Sequence, residues 1–125
     1  MNQALWSWFQ LFQAKHHEFH ISEAGRGYED QERDFKARAT KAHFGQSAHN
    51  YNCAIDTFII LPGRDMYDPR WYSEVLAPEI PDYLEWYGKP GSAFFELPHI
   101  ELKTWRLQRD NRMIALVEKP KMDIA

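Results

Sequence analysis

Two short segments of this chain carry the side chains that most restrict how it can fold. The first runs from Ser47 to Asp56 and includes His49, and the second is Glu96-Leu97-Pro98-His99. Two histidines and an aspartate form a ligand set typical of a catalytic zinc ion, which takes nitrogen and carboxylate ligands and keeps one position for water. Glu96, three residues before the second histidine, is then placed to take a proton from that water.

The spacing of these residues requires local irregularity in the backbone. Side chains an odd number of positions apart face opposite sides of a regular strand, and Glu96 and His99 are three apart. Pro98 removes a ladder donor and disfavours regular pairing. We therefore expect a kink before His99 that turns the carboxylate and the imidazole to the same side. His49 and Asp56 are seven apart, so the loop that carries His49 must absorb the difference in phase.

Asp56 is the acidic residue of an otherwise apolar segment, 54–60. A buried carboxylate without a partner is costly, and a bound cation is one way to satisfy it. The alternative is an aspartate at a strand end that backbone amides cap. The presence of His49 and of the Glu96-x-x-His99 motif favours the metal-ligand interpretation.

Composition excludes several classes of protein. The 125 residues fit one domain, and 44% of them are hydrophobic, which is typical of a globular chain. A net charge of −3 argues against a nucleic-acid binder held by phosphate contacts. The single cysteine allows no intrachain disulfide. The apolar N-terminal stretch 4–12 is too short to span a bilayer and lacks the features of a signal peptide.

Periodicity and turn residues predict a single α+β domain over residues 1–125. The predicted elements are a helix over 3–16, a strand over 19–23, a helix over 28–41, a strand over 52–60, two short helices between 70 and 87 separated at Pro78 and Pro81, a strand over 93–102 and a further strand near 114–117. Cys53 has the strand parity opposite to Asp56, so we expect it in the core rather than at a metal.

Both motif halves resemble those of one enzyme family. Ser47-x-His49 followed by Ala54-x-Asp56, and then Glu96-Leu97-Pro98-His99, is similar to the S-x-H-x-x-x-x-A-x-D and E/D-x-x-H pattern of the D-Ala-D-Ala metallopeptidases. That family includes phage L-alanyl-D-glutamate endolysins and D,D-carboxypeptidases. The segment 25–31 is similar to the family's Y-R-S-x-x-x-Q segment, with Gly25 in place of the aromatic residue. The resemblance spans residues 16–102 and implies a hedgehog/DD-peptidase-like fold, an antiparallel sheet flanked by helices.

The resemblance also implies roles for individual residues. It assigns the Zn²⁺ ligands to His49, Asp56 and His99, and the general base and acid to Glu96. It further implies an oxyanion-stabilising role for Arg26, and substrate contacts for Ser47 and Trp86. Three alternatives stay open from the residues themselves: a surface turn for Arg26, a helix or loop cap for Ser47 and a core position for Trp86.

The other histidines carry weaker signals. We interpret His16, His17 and His20, at the end of the first predicted helix, as solvated residues rather than as a second metal site. His43 lies six residues before His49 and is expected at most to support a metal ligand.

The function implied by the resemblance is zinc-dependent hydrolysis of a peptide bond in peptidoglycan stem peptides. The small size and the missing export segment favour a phage endolysin that cuts the L-Ala–D-Glu bond and stays in the host cytoplasm until its release to the cell wall. The alternatives are a D,D-carboxypeptidase that removes terminal D-Ala and a non-catalytic wall-binding domain. We expect a monomer with the stem peptide as its partner, without nucleic acid and without stable membrane insertion; a metal-dependent nuclease is disfavoured.

Overall fold

The computed structural model describes residues 1–40, 42–92 and 95–110. The elements are α1 (Gln3–Lys15), β1 (Phe19–Glu23), α2 (Tyr28–Lys36), a 3-10 turn (Ala48–Tyr51), β2 (Ala54–Ile59), α3 (Pro69–Trp71) with a π turn (Tyr72–Leu76) and a 3-10 turn (Ala77–Glu79) after it, β3 (Leu84–Trp86), β4 (His99–Leu102) and α4 (Trp105–Asp110). None of the helices in these ranges is long and apolar enough to cross a membrane.

The strands form one four-stranded antiparallel sheet in the order β1-β2-β4-β3. The two central strands pair so that Asp56 lies opposite His99 and Ile55 lies opposite Ile100. The sheet with its helices confirms the predicted α+β class. Because paired residues in neighbouring strands point to the same face, this register brings the two halves of the motif together.

Helix α1 covers the sheet with a stripe of large apolar side chains. It begins after Asn2, whose side chain accepts a hydrogen bond from the backbone N–H of Leu5, and Lys15 lies in its last turn. The buried face consists of Leu5, Trp8, Phe9 and Phe12. Three of these aromatic rings contact Phe19 of β1. Burial of each large side chain contributes ~1.5–3 kcal/mol, so α1 is a main source of core stability.

Two predicted helices differ from the structure at their C-terminal ends. Helix α2 ends at Lys36 rather than near residue 41, because Ala37 caps it and Arg38 adopts a left-handed backbone with φ of 61°. The prediction of helix up to residue 87 was wrong for 84–86, which form β3. Pro78 does not break the helical segment, since it lies in the first turn of a 3-10 helix.

The last predicted strand is also shorter than expected. It begins at His99, while residues 95–98 form a loop. Pro98 accounts for the late start, because it has no N–H to donate. Its carbonyl accepts hydrogen bonds from the backbone N–H and the hydroxyl of Thr57, 3.0 Å each. The part of that strand predicted at 93–94 and the strand near 114–117 lie outside the described residues.

Candidate metal centre

The structure brings the three predicted metal ligands to one point. Their ligand atoms all lie within 4.8 Å of one another. Asp56 lies between the two imidazoles, with Oδ1 3.1 Å from His99 Nδ1 and Oδ2 3.4 Å from His49 Nε2. Both histidines are buried. No other group of three or more possible ligands occurs among the residues described, so His16, His17 and His20 form no second site there.

A capped 3-10 turn holds His49. The hydroxyl of Ser47 accepts a hydrogen bond from the backbone N–H of His49, and the side chain of Asn50 accepts one from the backbone N–H of Ser47. The Asn50 amide also donates to the carbonyl of Arg26, 2.7 Å away. The cap that we left open for Ser47 is therefore present. Its hydroxyl orients a metal ligand through the backbone.

The environment of His49 leaves one ring nitrogen available to a metal. Nδ1 lies 3.3 Å from the carbonyl oxygen of Ala24, which can only accept a hydrogen bond, so Nδ1 carries the proton. Nε2 then presents a lone pair, and it is buried without a hydrogen-bond partner among the described residues. A buried polar atom of this kind is costly unless something binds it. A metal ion at this point satisfies it.

Two residues that the sequence did not reveal hold the second histidine. Glu101, only 6% exposed, accepts a hydrogen bond from Nε2 of His99 at 2.8 Å. The hydroxyl of Tyr87 donates to the other oxygen of Glu101 at 2.8 Å, and its ring stacks on His99 with centroids 5.0 Å apart. This arrangement leaves Nδ1 of His99 facing Asp56. A carboxylate behind a ligating histidine fixes its tautomer and orientation.

The charges at the centre shift two pKa values in opposite directions. Burial favours the neutral form of Asp56, but the imidazoles of His49 and His99 outweigh it and hold the pKa of the carboxyl well below its usual range. Burial favours neutral His99, but Asp56 and Glu101 outweigh it and raise the pKa of the imidazole to about 9. The two carboxylates therefore favour a positive charge beside them, which is the proton on His99 when no metal is bound and would be the ion itself when a metal replaces that proton.

Glu96 lies at the solvent side of the centre. Its carboxylate oxygen is 3.8 Å from Nδ1 of His99, and its side chain is 57% exposed. The backbone N–H of Glu96 donates to the carbonyl of Tyr87, and that of His99 donates to the carbonyl of Glu96. This tight turn places the carboxylate and the imidazole on the same side. The kink that we predicted before His99 is present.

Arg26 lies beside the metal ligand Asp56. Its Nη2 lies 3.7 Å from Asp56 Oδ2, and its Nε donates to Glu23 at 2.6 Å. Buried Gln31 accepts a further hydrogen bond from Nη1 at 3.1 Å. Arg26 is thus mostly buried and held by hydrogen bonds, and it is not the exposed residue of a surface turn. The role in stabilising an oxyanion stays a prediction.

Trp86 lies in the core and not in the open space beside the metal ligands. Its indole N–H donates to the carbonyl of Leu97 at 2.6 Å, and its ring stacks on Tyr72. Gly88 packs against the same ring, since a Cβ at position 88 would lie 2.2 Å from it. The structure gives Trp86 the core position that we left open. It holds the loop that carries Glu96, and the structure gives no support for a direct contact with substrate.

A cleft of about 640 Å³ opens beside the centre. It is lined by Arg38, Ala39, Thr40, Ala42, Gln46, Ser47, Ala48, Tyr87, Phe95, Glu96, His99, Glu101, Trp105 and Arg106. It includes Ser47 and one metal ligand but neither Arg26 nor Trp86.

Two other residues that the sequence singled out lie outside this cleft. Cys53 is buried, and burial raises the pKa of its thiol to about 11, as expected for a core residue. His43 pairs with Glu32 instead of supporting a metal ligand.

Comparison with solved structures shows what this fold is similar to. No protein-family model and no curated protein sequence matches the chain. The crystal structure of Serratia marcescens L-Ala D-Glu endopeptidase ChiX is similar, with a TM-score of 0.56 and 21% sequence identity over 74% of this chain and 69% of that chain. At this identity the likeness shows the fold.

Proposed function

We propose that this protein is a zinc-dependent peptidase that hydrolyses a peptide bond in peptidoglycan stem peptides, the L-Ala–D-Glu bond. The observation that carries the proposal is the convergence of His49 Nε2, His99 Nδ1 and the Asp56 carboxylate beside Glu96. The fold that it shares with an L-Ala D-Glu endopeptidase supports the choice of bond.

The donor set fits zinc. Two neutral imidazole nitrogens and one carboxylate leave a fourth tetrahedral position for water, as in catalytic zinc sites. The outer nitrogen of each histidine is already occupied, that of His49 by the Ala24 carbonyl and that of His99 by Glu101. These partners orient the other ring nitrogen of each histidine, Nε2 of His49 and Nδ1 of His99, toward the centre. The group of possible ligands among the described residues does not include Cys53, so no thiolate enters the ligand set.

The mechanism assigns proton transfer to Glu96. When bound, zinc lowers the pKa of a coordinated water to about 7 and polarises a carbonyl group. Glu96, exposed to the cleft and 3.8 Å from His99, takes a proton from the attacking water on its carboxylate and passes it to the leaving amine. Asp56 keeps its negative charge throughout, because its pKa lies well below the usual range.

Arg26 has two supports for a catalytic role. Its guanidinium lies within 3.7 Å of a metal ligand, and two carboxylates and Gln31 fix its position. A preorganised cation next to the metal ligands stabilises negative charge that develops on a carbonyl oxygen. We assign to Arg26 the stabilisation of the oxyanion. We assign to Ser47 the orientation of His49, and its position in the cleft also gives it access to substrate. Release into the cell wall by a phage, as an endolysin, is the biological setting that we propose.

Mass spectrometry of digested Gram-negative peptidoglycan tests the proposal. Zinc-loaded protein is expected to release peptides that begin with D-Glu and to leave L-Ala on the glycan. The Glu96→Gln variant, which keeps all three ligands, is expected to bind zinc normally and to lose about 100-fold or more in rate. Loss of terminal D-Ala alone would assign a D,D-carboxypeptidase. Wall binding without cleavage, with zinc bound, would assign a non-catalytic domain. Near-normal activity of the Glu96→Gln variant would refute its role.

A further inference from the structure

The arginines of this chain divide into two groups. Of those whose side chains the structure describes, four pair with carboxylates: Arg26, Arg33, Arg64 and Arg70. The other two, Arg38 and Arg106, form no ion pair with any described carboxylate, and both line the cleft beside the metal centre. Within the described part of the chain, the two arginines without a carboxylate partner are therefore the ones next to the proposed site of reaction.

Arg106 is held over the cleft by an aromatic ring. Its guanidinium carbon lies 4.7 Å from the centroid of Trp105, which is buried. Trp105 in turn stacks on Tyr51, the last residue of the turn that carries His49. A guanidinium that stacks through its face keeps its in-plane N–H donors free for a ligand. Arg106 is thus tied to the metal centre and still able to bind an anion.

Arg38 lies two residues after the end of α2, in the segment that leads to the turn carrying His49. Its backbone N–H donates to the carbonyl of Phe35 at 3.1 Å, and the next N–H, of Ala39, donates to Asp34 at 2.8 Å. These bonds fix the backbone of the turn. Arg38 itself is exposed and lines the cleft.

The two acidic residues of the cleft, Glu96 and Glu101, form no ion pair with either arginine. Glu101 is engaged by His99 and Tyr87, and Glu96 lies beside the metal ligands. Both arginines of the cleft are therefore without an ion-pair partner among the described residues. Two guanidinium groups without a described carboxylate partner are able to bind an anionic ligand that enters the cleft.

We infer that Arg38 and Arg106 form a subsite that binds a carboxylate of the substrate peptide. The inference rests on the proposed function, because it concerns which peptides the peptidase selects. A glutamate residue has two carboxyl groups, and only one of them continues the peptide chain. The other stays free next to an L-Ala–D-Glu bond unless it is amidated. A guanidinium binds such a carboxylate through two parallel hydrogen bonds and binds the corresponding amide much less well.

Two matched peptides and three matched variants test the subsite. The peptides contain the L-Ala–D-Glu bond and differ only in whether the second carboxyl group is free or amidated. The variants are Arg38→Gln, Arg106→Gln and, as control, Arg70→Gln, which removes the same charge from an exposed arginine paired with Glu74. For the acidic peptide we expect kcat/KM to fall about 10-fold or more in the first two variants. For the amide we expect a change within about 3-fold, and in the control no change for either peptide.

Binding separates this subsite from the peptidase function. Calorimetry on the zinc-loaded Glu96→Gln protein measures the affinity for each peptide without turnover. Preference for the acidic peptide that Arg38→Gln and Arg106→Gln abolish would support the subsite, even if the wild-type protein cleaved neither peptide and the peptidase function were wrong. Cleavage of both peptides with equal efficiency would overturn the subsite and leave the peptidase function intact. Equal losses in the Arg70→Gln control, or binding of neither peptide, would also overturn it.

Discussion

The hydrogen bond from Tyr87 to Glu101 offers a direct test of the group that holds His99. The change of Tyr87 to Phe keeps the ring that stacks on His99 and removes only the hydroxyl, which donates to Glu101 at 2.8 Å. Glu101 is buried, so one of its oxygens loses a donor that water replaces poorly. A hydrogen bond to a charged group contributes ~1.5–3 kcal/mol. Because Tyr87 is itself only half-buried, we expect a loss of about 1.5 kcal/mol, the lower end of this range.

Urea unfolding in the presence of a chelator measures this loss without any contribution from bound metal. With an m-value of ~1–3 kcal/mol/M for a small domain, the unfolding midpoint of Tyr87→Phe is expected to fall by about 0.5–1.5 M. Tyr83→Phe is the matched control, because Tyr83 directly precedes β3, as Tyr87 directly follows it, and its side chain is exposed. An unchanged midpoint for Tyr87→Phe, or an equal fall in the control, would refute the proposed support of His99 by Glu101 and Tyr87.

Two further predictions concern the stability of the metal-free protein and the core behind the site. His99 has a pKa of about 9 in the folded protein, above its ordinary value of 6.5, so its contribution to the free energy of unfolding is complete below pH 6.5 and is lost as the pH rises to about 9. Urea unfolding with chelator is expected to show a decline of up to ~3 kcal/mol in this free energy over the same pH range. A flat profile there would contradict the arrangement of Asp56 and Glu101 around His99. Gly88→Ala places a Cβ 2.2 Å from the indole of Trp86; it is expected to cost ~1–3 kcal/mol in unfolding free energy, and unchanged stability would show that Trp86 can move aside freely.

The sequence predicted the fold best where local signals were strong. Helix α1 and strand β1 match their predictions, because the apolar stripe and the alternating pattern at Phe19–Glu23 agree with their capping and turn residues. The error at β3 has a clear cause. Leu84–Trp86 is a three-residue strand whose two apolar side chains also fit a helical pattern. Pairing with β4, a contact distant in sequence, decides between the two conformations.

The predicted ligands were recognisable because their types are unusual where they occur. The aspartate inside an apolar strand suggested a role, and the Glu96-x-x-His99 motif pointed to the second histidine. The structure brings both together with His49. The residues behind the ligands had no such signal. The Ala24 partner of His49 acts through a backbone carbonyl, which no side-chain pattern reveals. The partner of His99, Glu101, had one available clue, since residues two apart on a strand face the same side.

The accuracy of the site depends on the register between β2 and β4. A slip of one residue would move His99 to the opposite face of the sheet and away from Asp56. Two contacts just before His99 oppose such a slip. Thr57 donates twice to the carbonyl of Pro98, and Trp86 donates to the carbonyl of Leu97. The late start of β4 is therefore part of the site. Regular pairing begins only after Pro98. The backbone N–H and the hydroxyl of Thr57 hold the carbonyl of Pro98, and the imidazole that follows is fixed beside Asp56.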